Sequence, residues 1–113
     1  MGEPLDICAL ADLADGAAKG FEIPGGLYDG FVVRRGTAVH AYLNTCPHSG
    51  ARLDWKPDAF LTRSRELIMC SVHGAIFEVE NGLCVGGPCV GRSLRPLAAE
   101  VRDGRILITS DLT

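Results

Sequence analysis

Cys46-Pro47-His48-Ser49-Gly50 and Cys70-Ser71-Val72-His73-Gly74 decide how this chain is read. Each stretch pairs one thiol with one imidazole, spaced C-x-H in the first and C-x-x-H in the second. Thiolates and imidazoles are the side chains that bind borderline and soft metals. A glycine stands close behind each half, Gly50 and Gly74. A residue without a side chain lets the backbone approach a bound group and turn N–H donors toward it.

Together the two stretches resemble the ligand loops of the Rieske [2Fe–2S] family. The resemblance runs from about Leu27 to Ile108 and takes in Gly86-Gly87-Pro88, which is similar to the proline-containing third loop that covers the cluster in that family. It implies one [2Fe–2S] cluster, with Cys46 and Cys70 on one iron and His48 and His73 on the other. Two thiolates and two neutral imidazoles leave the oxidised centre uncharged, whereas four thiolates would make it anionic. An uncharged centre accepts an electron more readily, so the potential rises. The imidazoles can lose protons, which links electron uptake to pH.

Departures from the family pattern are informative. High-potential members in cytochrome bc complexes join their ligand loops by a disulfide, and Ala51 and Val72 occupy the matching positions here. Those members also set Ser and Tyr hydroxyls against cluster sulfur, where this chain has Ala75 and Phe77. Fewer hydrogen bonds to sulfur stabilise the reduced state less, so the expected potential lies near the low end of the range, roughly −150 mV. Ser49–Met69, between the motifs, reads as a surface insertion. A structural zinc-binding interaction module is the alternative of another class, since two Cys and two His suit tetrahedral zinc. Neither the flanking glycines nor the third loop is needed for zinc.

Composition sets the frame. The chain has 113 residues, 47% of them hydrophobic and 22% charged, with a formal net charge of −3. It reads as a single domain over 1–113, with the cluster-binding part roughly 44–90. The mild acidity gives no nucleic-acid footprint and suits docking to a basic patch as well as ordinary solubility. No run approaches the roughly twenty apolar residues of a membrane span. MGEPLDICAL lacks a basic start and an apolar core, so no signal peptide is expected and the cytoplasm is the default. Cys8, Cys84 and Cys89 lie outside the ligand set and read as small buried apolar residues. A Cys84–Cys89 disulfide is disfavoured in a reducing compartment.

Strand signals dominate the rest and predict an all-β fold, a Rieske-like antiparallel sandwich or barrel whose two ligand loops form a cluster-binding subdomain. Strands are expected at Leu5–Leu10, Gly30–Arg35 and Thr37–Leu43, with Val39, Ala41 and Leu43 on one face and Ala38, His40 and Tyr42 on the other. Further strands are expected at Phe60–Thr62, Glu66–Met69, Ala75–Glu80, Leu83–Val85, Ala98–Arg102 and Arg105–Thr109. Asn81-Gly82 and Asp103-Gly104 are two-residue hairpin signals. Asp12–Gly20 is expected to hold a helical turn, and Gly91–Pro96 a linking loop. His40 reads as a surface or packing residue, and Arg34, Arg35, Arg63 and Arg65 as solvated turn residues. Trp55 and Phe60 are expected to pack the insertion, or else to face a partner.

The resemblance implies an electron carrier rather than an enzyme. A ferredoxin would pass single electrons from a flavin-dependent reductase to an oxygenase or similar acceptor by outer-sphere transfer through an imidazole. The small subunit of an assimilatory nitrite reductase is the second role. An oxygenase catalytic chain is rejected, because only His40 would remain for a mononuclear iron that needs two His and a carboxylate.

Overall fold

Short apolar runs separated by turn residues build ten strands among the described residues. These are β1 (Leu5–Ala9), β2 (Ala18–Phe21), β3 (Gly30–Arg35), β4 (Ala38–Leu43), β5 (Leu67–Met69), β6 (Ile76–Glu78), β7 (Cys84–Gly86), β8 (Pro96–Leu97), β9 (Ala99–Arg102) and β10 (Arg105–Ile108). The structure is a computed structural model, and it describes residues 4–25, 28–47, 52–54, 58–71 and 74–109. Every pairing is antiparallel, in three sheets ordered β1-β10-β9, β2-β3-β4-β8 and β5-β6-β7. The expected all-β architecture is observed.

The β2-β3-β4-β8 sheet is buried on both faces, which explains the unbroken apolar run Phe31-Val32-Val33, each 0% exposed. Side chains of successive strand residues point to opposite faces. Phe31, Val33 and Tyr42 join a core with Leu53, Phe60, Ile68, Phe77, Val79 and Leu94, on the side of the β5-β6-β7 sheet. Val32 and Ala41 join a second core with Leu13, Ile106 and Ile108, and Val39 and Leu43 pack against it. The alternation read along β4 is therefore realised. Two hairpins also form as expected. Arg35 pairs with Ala38 across Gly36, and Arg102 pairs with Arg105 across Asp103 (φ 53°) and Gly104 (φ 74°). Two successive positive φ values are the backbone of a type I′ turn.

Several expectations are corrected. Asp12–Gly20 holds no helical turn. The short 3-10 helix lies earlier, at Leu10–Asp12, and Ala18–Phe21 is the strand β2. Its pairing with β3 sets Phe21 opposite Gly30, where the ring fills the space that a side chain would take. Pro96 belongs to β8 instead of a loop, on the sheet edge where a missing N–H costs no ladder bond. Phe60–Thr62 is no full strand: Leu61 alone bridges Ile68, with Thr62 N–H donating to Leu67 O and Met69 N–H to Phe60 O. Asn81-Gly82 closes a longer turn, in which Gly82 N–H reaches back to Glu78 O at 2.9 Å.

The segment between the motifs is no mere surface insertion. Leu53, Phe60 and Ile68 are 0%, 1% and 0% exposed, and Phe60 stacks on Phe31 with ring centroids 4.3 Å apart. Phe60 thus packs the core and faces no partner, while Trp55 lies outside the described residues. Arg34 is likewise structural, because its guanidinium donates to the carbonyls of Leu10, Leu13 and Gly36.

Candidate metal centre

Cys46 follows the end of β4 and Cys70 follows the end of β5, so each thiol is delivered by a strand. Both are buried, at 2% and 0% exposure, in the core that holds Phe31 and Phe77. The second loop is closed at both ends. Cys70 N–H donates to Ala75 O and Gly74 N–H to Cys70 O, each at 2.9 Å. Gly74 carries φ 73°, a conformation that glycine adopts without the usual side-chain penalty. His48 and His73, with Ser49, Gly50, Ala51 and Val72, lie outside the described residues. Among the described residues no three Cys, His, Asp or Glu side chains converge as a metal site.

The backbone of one residue, Leu53, connects the two loops. The buried Asn44, two residues before Cys46, accepts from Leu53 N–H through Oδ1 at 2.7 Å. On its other side the Leu53 carbonyl accepts from Ser71 N–H at 3.0 Å and from Ser71 Oγ at 2.8 Å. Leu53 therefore bonds to a neighbour of each candidate cysteine. Asn44 Nδ2 donates to Asp54 at 2.9 Å, and Asn44 N–H donates to Asp29 O at 2.8 Å. Arg52 pairs with both Asp29 and Asp54, which raises its already high pKa, chiefly through the hydrogen bond to Asp29. The Arg52 side chain is 59% exposed and that of Asp29 34%, so their pair adds little stability, whereas Asp54 is 5% exposed.

The third loop packs against the second motif at Gly74 and Ala75. Gly87 has φ 86°, and a Cβ there would meet the Ala75 Cα at 2.8 Å. Only glycine allows that backbone-on-backbone approach. Arg92 donates to Pro47 O at 3.0 Å, tying the chain beyond the third loop to the first ligand loop. Cys84 and Cys89 are buried as expected, with sulfurs 3.1 Å apart. Burial first, then the Cys84 thiol and Cys46, push the Cys89 thiol up to about 12. Cys8 is only partly buried, against the second core, and burial raises its pKa. Ala75 and Phe77 are 1% and 0% exposed and offer no hydroxyl.

Sequence reasoning named Cys46 and Cys70, which the structure buries after strand ends, but gave no role to Asn44, Leu53, Ser71 or Arg92. Asn44 left one signal, a polar residue ending an apolar strand just before the motif. The described part of the donor set fits an iron–sulfur group. Two buried thiols follow strand ends, on loops joined through the backbone of Leu53, in an apolar core.

The Rieske [2Fe-2S] domain family matches residues 3–105, and the chain belongs to that family, whose cofactor is one [2Fe–2S] cluster. This sets the zinc alternative aside. Among individual proteins, the chain is 33% identical over 109 residues to the ferredoxin component of an alkene monooxygenase system from Xanthobacter autotrophicus, covering 96% of this chain and 83% of that protein. The fold is similar to the ferredoxin of carbazole 1,9a-dioxygenase from Nocardioides aromaticivorans, with TM-score 0.78 and 28% identity over 97% of this chain and 100% of that one. A structure of reduced oxygenase with oxidised ferredoxin in carbazole 1,9a-dioxygenase matches with TM-score 0.78 and 25% identity, over 97% and 95% of the two chains.

Proposed function

We propose that this protein is a low-potential Rieske ferredoxin that takes single electrons from a flavin-dependent reductase and delivers them to a terminal oxygenase. It is a carrier with no substrate turnover of its own. The observation that carries the proposal is the match along 96% of the chain to the ferredoxin component of an alkene monooxygenase system. That relative supports this role over a nitrite reductase subunit. We assign Cys46, His48, Cys70 and His73 as the cluster ligands. The cluster, when bound, supplies a one-electron carrier. The chain's own residues bind it, hold the two loops together through Leu53 and exclude water with the Phe31 core. Val85 and Val90 are 48% and 64% exposed beside the third loop, apolar surface of the kind a protein partner covers. Among the described residues no helix is long and apolar enough to cross a membrane.

Iron and sulfide analysis with an EPR-monitored redox titration tests this. The expected result is one cluster per chain, a Rieske-type signal on reduction and a midpoint near roughly −150 mV. His48→Ala or His73→Ala should abolish the signal. A normal signal in either variant would remove that histidine from the ligand set. A clearly positive midpoint would overturn the low-potential assignment.

A further inference from the structure

Cys84 and Cys89 take no part in the ligand set, yet they are already arranged as a pair. The Cys89 thiol donates to Cys84 Sγ at 3.1 Å, and the Cys84 thiol lies 3.1 Å from Gly86 O. The backbone fixes both ends: Cys84 N–H donates to Arg92 O at 2.8 Å, Gly91 N–H to Cys84 O at 3.3 Å and Arg92 N–H to Cys89 O at 2.9 Å. A disulfide needs its sulfurs at about 2.05 Å, so an approach of about 1 Å closes the bond. Four residues intervene, Val85-Gly86-Gly87-Pro88. Both thiols are buried, but the covering loop is not: Val85, Gly87, Pro88 and Val90 are exposed. A small oxidant therefore has only one short loop to displace.

We infer that Cys84 and Cys89 form a dithiol–disulfide site, a two-electron centre distinct from the one-electron cluster, oxidised by a low-molecular-weight disulfide of the glutathione class. One cysteine gives up its proton and attacks a sulfur of the oxidant, breaking its S–S bond and releasing one thiolate. The partner cysteine, deprotonated in turn, attacks the protein sulfur of the mixed disulfide, forms the Cys84–Cys89 bond and expels the second thiolate. Two protein thiols lose two electrons, the oxidant gains them, and the two protons end on the released thiols. The closed bond fixes the loop that carries Gly87.

The test equilibrates the cluster-loaded protein with reduced and oxidised glutathione in graded ratios, then denatures it, alkylates free thiols and weighs the intact chain. Reduced protein should take up alkyl groups on all five cysteines. Oxidised protein should lose two, with a peptide linking Cys84 to Cys89. Cys84→Ser and Cys89→Ser should each abolish that loss. Five alkylated cysteines at every ratio, or a linkage through Cys8, would overturn the inference. The wild-type measurement decides even where a variant fails to fold. Iron content of the untreated protein is read separately, so failure of the ferredoxin assignment is distinguishable from failure of this one.

Discussion

Asn44 shows how one buried polar side chain can govern a site that it does not ligate. It accepts from Leu53 N–H and donates to Asp54, and it is 2% exposed. Asn44→Ala leaves the buried Leu53 N–H without its acceptor, which costs about 1–3 kcal/mol. The expected outcome is a lowered denaturation midpoint together with reduced iron retention, measured on one preparation. Gly87 and Gly91 make a second, paired prediction. Both have positive φ, 86° and 92°, but only at Gly87 would a Cβ strike backbone. Gly91→Ala should cost about 1 kcal/mol for the strained backbone alone. Gly87→Ala should cost more, because the second ligand loop must also shift. Urea unfolding of the two variants checks the order, and equal losses would refute the close approach.

At the scale of elements, the weakest-looking segments are held by what packs on them. β2 contains Ala, Lys and Gly, yet Gly20 N–H donates to Asp58 at 2.7 Å and Phe60 lies over Gly20. Phe60→Ala removes the ring that stacks on Phe31 and should destabilise the protein by about 3–5 kcal/mol, read by denaturant unfolding. A loss below about 1 kcal/mol would return this segment to the surface. The same packing explains what the sequence concealed. The Cys and His motifs that mark the family, the β3–β4 hairpin and the Asp103-Gly104 turn were legible because local chemistry specifies them. β2 and β8 were not, since neither has a strong strand pattern and each exists through pairing with an ordered neighbour. Leu53 acts through its backbone, so its side-chain identity could not disclose it. The Cys84–Cys89 contact depends on how the loop between them folds, which spacing alone leaves open.

Across the whole molecule, two cores share one central sheet, and Tyr42 anchors the site-bearing side. Its hydroxyl donates to Val79 O at 2.5 Å. Burial first, and the nearby Glu80 second, push its pKa from 10 up to about 12. A folded-state pKa above the unfolded one means that this contribution is complete below pH 10 and lost as pH rises toward about 12. Stability of the wild type should therefore fall across that alkaline window, and Tyr42→Phe should flatten the fall, as denaturation midpoints at stepped pH would show. An unchanged slope in the variant would assign the alkaline loss to other groups. The Leu53 backbone has a different kind of consequence, for rebuilding the chain. The loops after β4 and β5 both bond to it, and the Arg63-Ser64-Arg65 bend lies past it on exposed ground. The length of the bend is thus uncoupled from the spacing of the loops. A peptide tag or reporter spliced in at Ser64 would ride on the ferredoxin without entering its electron-carrying end.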